Sequence, residues 1–365
     1  MKTLKRGLLF GLFISLILTA NAQNSLKSNG MSIYLNPKIG KDSNDGTKEN
    51  PLKTLNEAAN RVNQSVNQEA ITVYLSPGVY GLNETVTISS TKKKFTSQNR
   101  LIIRAEILPD DNNWQPSDMP IILSTMPFSE EKNAKGEITG GQNFGILIQD
   151  SHVTIQGLRI LGEPVHENPS NGILVRNYPI VWEGKDLEDL HITQCLFMGN
   201  KLAIPNHLPI LSNGKALELD HCVFYGVKDG VVMWNNPASV SSIHHNLFID
   251  NYGGIVWTWS ATPDLKFYNN VISNANVLWV LNKDEKDSFT IENSVIVGYQ
   301  SFVNKGGGPL GFGDNANPEK LTLKNNVILK KEGKLEIIED QTNKLYLHIK
   351  PGTLGANLGA GLFSK

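Results

Sequence analysis

Residues 217–224 read LELDHCVF, and the same pattern returns as SSIHHNLF at 241–248, LKFYNNVI at 265–272 and FTIENSVI at 289–296. The interval is 24 residues each time. Looser copies flank them: VTIQGLRI (153–160), LHITQCLF (190–197) and LTLKNNVI (321–328). Aligned on the sixth residue, the seven give a column of Leu158, Cys195, Cys222, Asn246, Asn270, Ser294 and Asn326, with steps of 37, 27, 24, 24, 24 and 32 residues. A fixed period with longer steps around it is a repeat that carries loop insertions.

Each unit opens on an alternating strand, passes a polar turn and an apolar pair, and ends on a second β-rich run. Those second runs are GILVRN (172–177), GVVMWN (230–235), GIVWTW (254–259) and NVLWVLN (276–282). No helical spacing intervenes. Units of this kind stack as the coils of a parallel β-helix, with neighbouring strands roughly 4.8 Å apart. In the opening strand, positions one and three are apolar, as in Leu217/Leu219, Leu265/Phe267 and Phe289/Ile291, and point inward. Positions two and four then point to solvent. The sixth column falls in the turn, where stacked asparagines satisfy backbone groups from coil to coil. Cys195 and Cys222 hold that column on neighbouring coils, either as buried thiols or as a disulfide.

The pattern resembles the right-handed parallel β-helix proteins of the pectate-lyase-like superfamily. IYLNPKIGKDSNDGTKENPLKTLNEAA (33–59) is similar to the opening of many secreted bacterial members, and PGTLGANLGAGLF (351–363) resembles their closing Gly-Ala run. Local signals agree. Thr54 and Glu57 form a Thr-x-x-Glu capping box. Leu55, Ala58, Ala59, Val62 and Val66 follow helical spacing, which predicts a short helix over about 54–67 covering the open first coil. One β-helix domain is expected over 23–365.

Ahead of it, MKTLKRGLLFGLFISLILTANAQ has a basic start (Lys2, Lys5, Arg6), an apolar run from Gly7 to Leu18 and a small-x-small ending at Ala20-Asn21-Ala22. Residues 1–22 therefore read as a signal peptide, with export to the periplasm or medium, and not as a membrane span. A net charge of −1 without a long basic run argues against nucleic acid as a partner, and no later segment is apolar enough to insert in a bilayer. GKDSNDG (40–46) offers oxygen ligands for calcium, but its glycine falls one place early for an EF-hand loop, and an Asx-rich turn accounts for it better. No other cofactor is evident.

The outward columns supply the candidate chemistry. Column four places Asp220, His244 and Tyr268 on consecutive coils, and column two places Glu218, Ser242 and Lys266 beside them. Uronide elimination needs a base, an acid and a cation for the substrate carboxylate. Tyr268 and His244 are the expected base and acid, Asp220 the group that orients the imidazole, and Lys266 a carboxylate partner. Hydrolysis would need two facing carboxyls, and Glu218 and Asp220 point the same way from one strand, so elimination ranks first. The adjacent His244 and His245 face opposite ways and do not suit one metal ion. Parity makes Trp257 and Trp279 core fillers.

The resemblance adds a groove along the edge of the second β runs, which implies substrate contacts from Arg176, His207, Trp234, Asn235, Trp259 and Lys283. Tryptophans there would stack on sugar faces. The signature motifs of pectate lyases and polygalacturonases are absent. The expected role is thus an exported protein acting on an extracellular polysaccharide by elimination or hydrolysis, with a catalytically silent carbohydrate-binding or adhesion β-helix as the rival.

Overall fold

A computed structural model describes residues 30–162, 174–200, 206–233, 240–258, 265–282, 288–306 and 313–365. The strands stack in parallel register into a β-helix. One face is a ten-stranded sheet that runs from Met31–Leu35 through Glu188–Thr193, Lys215–Asp220, Ser241–His244 and Leu265–Tyr268 to Lys320–Lys324. The remaining strands form a second, continuous sheet that wraps the other two faces. Leu247–Thr258, Val271–Leu281 and Val295–Lys305 bend around the corner between those faces. Among the described residues no helix is long and apolar enough to cross a membrane.

Register follows the repeat. Asp220 pairs with His244 and His244 with Tyr268, and Leu219, Ile243, Phe267 and Ile291 form one inward column. Inside, Phe197, Phe224 and Phe248 stack at 4.8 and 4.7 Å between centroids. Each such ring, withdrawn from water, stabilises the coil by about 1.5–3 kcal/mol.

The turn after the first face explains the asparagine column. The residue before it adopts positive φ on successive coils, at Gly157, Gln194, His221, His245, Asn269, Asn293 and Asn325. The next side chain is then directed inward along the stack. Cys222 N–H donates to Asn246 Oδ1 (3.0 Å), Asn246 N–H to Asn270 Oδ1 (3.0 Å) and Asn270 N–H to Ser294 Oγ (3.1 Å). Cys195 and Cys222 are buried free thiols within this ladder, and Cys195 N–H donates to Cys222 Sγ at 3.4 Å.

Helix α1 (Leu55–Gln64) closes the first coils, with Leu55, Ala58, Ala59 and Val62 turned inward. Only half of the capping box forms: Glu57 N–H donates to Thr54 Oγ1, while the Glu57 carboxylate turns to Arg61 at 2.9 Å. The helix ends three residues before the expected boundary, and Val66 is 71% exposed instead of lying on its apolar face. The closing segment packs against the second face. Leu335, Tyr346, Leu347, Ile349 and Leu362 cover the outer side of Leu196, Val223, Leu247, Val271 and Val295. Gly361 N–H reaches His245 O at 2.9 Å, so the tail runs along the middle coils.

Candidate functional site

The first face brings Glu218, Asp220, His244, Lys266 and Tyr268 onto three consecutive coils, as the repeat requires. Their contacts differ from the expected ones. Although paired in register with His244, Asp220 makes no hydrogen bond or ion pair with it. It is only 6% exposed and accepts hydrogen bonds from His191 Nε2 (2.5 Å), His221 Nδ1 (2.7 Å) and Thr193 Oγ1 (2.6 Å). Burial alone would raise its pKa, but the His191 and His221 bonds prevail and hold the carboxyl below the usual range. Two histidines and a threonine on adjacent positions thus turn an outward carboxylate into a buried one.

Glu218 takes the place expected of Asp220. Its side chain is 53% exposed, its Oε1 lies 3.5 Å from His244 Nε2, and the His244 contact holds its carboxyl below the usual range. The His244 ring stacks on Tyr268 at 4.6 Å and 16°. Behind it runs a chain of bonds. Asn293 Nδ2 donates to Asn269 Oδ1 (2.6 Å), Asn269 Nδ2 donates to His245 Nε2 (2.9 Å), and His245 Nδ1 meets His244 Nδ1 at 2.8 Å. This order settles both rings. His245 accepts at Nε2, so it carries its proton on Nδ1 and donates it to His244 Nδ1. His244 then carries its own proton on Nε2, facing Glu218. Burial, with His221 and His244 nearby, lowers the His245 pKa to about 4 and keeps that ring neutral.

Tyr268 does not fit the base role. Burial, followed by the Glu218, Asp220 and Glu292 charges, raises its pKa, so the phenol keeps its proton. It suits a proton donor. Lys266 is exposed and has no ion-pair partner among the described residues.

Arg176 and His207 lie elsewhere, on the wrapped sheet, in the neighbouring strands Leu174–Trp182 and Asn206–His207. Arg176 pairs with Glu131, and His207 is buried with Nδ1 accepting from Asn200 N–H at 3.3 Å. The structure therefore does not bring them to Glu218 and His244. Trp234, Asn235, Trp259 and Lys283 lie outside the described residues. Trp279 fills the core as expected, but Trp257 does not. It packs with Tyr178, Val181, Leu211, Val232 and Val280 in a separate cluster on the outer side of the third face.

Three features escape a reading by columns. His191, His221 and Asn269 carry the contacts that set the site, although only their stacking was legible. Asp229 is buried beside that outer cluster, with Oδ1 accepting from Gly254 N–H at 2.5 Å and Oδ2 lacking a hydrogen-bond partner. Burial, partly offset by Lys228, pushes its pKa up to about 6. Its signal is the KDG turn at 228–230, which only register places against Gly254. For a metal ion, His191, Glu218 and Asp220 are the described group whose ligand atoms lie close enough, within 4.8 Å of one another. In the 40–46 loop the side chains serve the chain itself: Asp42 Oδ1 accepts from Thr54 N–H (2.9 Å) and Asp45 Oδ1 from Thr47 N–H (3.0 Å).

A coiled parallel sheet with an asparagine-ladder turn and a capping helix defines the class, and sequence comparison names it. The chain belongs to the right-handed β-helix family, whose "Right handed beta helix region" matches residues 135–328, more than half of the 365 residues. No curated protein matches significantly. Similar solved structures include a GH136 lacto-N-biosidase from Eubacterium ramulus (12% identity, 80% of this chain and 68% of that chain, TM-score 0.44). A rhamnogalacturonan lyase (13%, 88% and 87%, TM-score 0.42) and the pectin methylesterase PemA from Erwinia chrysanthemi (12%, 90% and 96%, TM-score 0.37) are others.

Proposed function

We propose that this β-helix is exported and cleaves an acidic extracellular polysaccharide by β-elimination on its first face. The observation that carries the reading is the position of His244, which touches Glu218 on one side and Tyr268 on the other while its tautomer is set from behind by His245. Glu218, ionised and half-exposed, takes the proton from the carbon beside the substrate carboxylate. The electron pair left there forms the double bond as the glycosidic oxygen departs, and the Tyr268 phenol protonates that oxygen. His244 positions both groups, and Lys266 pairs with the uronate. Acid–base help of this kind is worth about 10²–10⁴ in rate. Hydrolysis is less well served, because Asp220, the other carboxyl on that strand, is committed to His191, His221 and Thr193.

A binding-only reading has its own support. Tyr34 stacks on Tyr74 at 4.8 Å and Arg104 lies over Tyr74, so flat groups continue the column toward the first coil. The test is an ultraviolet assay for unsaturated product against polygalacturonate, alginate and chondroitin sulfate. Product from wild type and its loss in His244→Ala supports elimination. Reducing ends without ultraviolet absorbance would make the protein a hydrolase, and retention on immobilised polysaccharide without cleavage would make it a binding module. Export predicts a protein recovered from the medium or periplasm that begins at Gln23.

A further inference from the structure

A cleft of about 660 Å³ is cut into the corner where the wrapped sheet passes from the second face to the third. It lies away from Glu218 and His244 and has a different character. We propose that it binds an uncharged, hydroxyl-rich ligand, a neutral oligosaccharide segment or branch. Its volume falls in the range of about 300–1,000 Å³ typical of small-molecule sites.

Register explains why the recess exists. The corner position is Gly199, Gly226, Asp250, Asn274 and Gly298 on successive coils, so the first two coils carry no side chain there. A Cβ on Gly199 would sit 2.6 Å from Gly226 O, which keeps that coil bare. The later coils supply the lining, and Lys334 from the C-terminal segment forms the far wall.

The lining argues for a neutral partner. Asp250 accepts from Asn274 Nδ2 (2.6 Å) and from Lys334 Nζ (3.1 Å), so its charge is already matched. A uronate would have to break that pair or leave its own carboxylate unmatched. Asn276 Nδ2 donates to Tyr252 O at 2.6 Å, which leaves its Oδ1 as an acceptor. Tyr225 and Tyr252 add ring faces of the kind that receive the C–H side of a pyranose. Asn251, which also lines the cleft, is 2% exposed, with neither Oδ1 nor Nδ2 hydrogen-bonded. Both atoms are enclosed by protein, so the hydrogen bonds open to a ligand come from the exposed Asn274 and the half-buried Asn276.

The test is saturation-transfer NMR and calorimetry on the full chain with mannohexaose, xylohexaose, cellohexaose and galactohexaose, with trigalacturonate for contrast. At least one neutral hexaose is expected to bind. Asn274→Gly combined with Asn276→Ala should weaken it about tenfold, the equivalent of about 1.4 kcal/mol. Gly at 274 suits the positive φ of that residue, and Tyr225→Ala, on a different coil, gives a second reading if the double variant does not fold. His244→Ala should leave this binding unchanged even though it removes elimination, so the two sites fail separately. The proposal is overturned if no neutral hexaose binds at millimolar concentration, if neither variant weakens binding, or if only trigalacturonate binds at the cleft.

Discussion

His245 is bound by its backbone before its ring has any role. Its φ is +53°, a region that Asn, Asp, His and Gly tolerate best, and the equivalent position on neighbouring coils is His221 and Asn269. Its neutral ring then relays orientation to His244. Asp229 shows the opposite case, a buried carboxyl with one oxygen unpartnered. Its folded pKa, about 6, lies above its ordinary 3.8, so its stabilising contribution is complete below 3.8 and is lost as pH rises through 6. The difference corresponds to about 3 kcal/mol. Asp229→Asn should therefore be more stable than wild type at pH 8 by up to that amount, with the gap closing near pH 4. Urea unfolding at the two pH values checks it, and an equal gap at both would show that the carboxyl does not carry the effect.

At the scale of the element, the ladder turn holds the coils in register. Asn246 accepts from Cys222 N–H and donates to Leu219 O and His244 O, each at 2.9–3.0 Å. Asn246→Ala leaves those buried groups bare, at about 1–3 kcal/mol apiece, and should lower stability by roughly 3 kcal/mol or more. Asn326→Ala, at the same column position but exposed on the last coil, should change stability by less than about 0.5 kcal/mol. Equal losses in denaturant titrations would contradict the ladder account. The turn was legible because a period of two ends there in a repeated polar pair. The end of α1 was not, because Val66 fits helical spacing although the chain has already turned away. Nor was the burial of Asp220 legible, since column parity gives direction and says nothing of the His191 and His221 rings that enclose the carboxylate.

For the whole molecule, column arithmetic located the first-face strands from Val153 to Lys324 but not Met31–Leu35, Ile71–Leu75 or Leu101–Ala105, and the exterior depends on contacts between distant segments. The C-terminal segment covers the second face and places His348 beneath it, with Nδ1–H donating to Tyr346 O and Nε2 accepting from Leu362 N–H. Both ring atoms are used by the neutral form, and burial lowers the pKa to about 4 from 6.5. A depressed pKa contributes stability that is full above 6.5 and is lost as pH falls through 4. Limited proteolysis within 331–363 should therefore accelerate between pH 6 and 4, and His348→Gln should flatten that dependence. A pH-independent rate in wild type would detach His348 from the docking of this segment. Arg176 and His207 lie on the second β runs, where the repeat placed them, and what the repeat did not show is that Arg176 pairs with Glu131 and that His207 is buried.

The central claim is that Glu218 and Tyr268, brought together only by coil stacking, act as one unit through His244. A double-mutant cycle on turnover measures it directly, using wild type, Glu218→Gln, Tyr268→Phe and the combined variant on the cleaved polysaccharide. The account predicts that each single change costs about a hundredfold or more and that the double variant is little worse than either. Independent, multiplicative losses, or full turnover in either single variant, would contradict it.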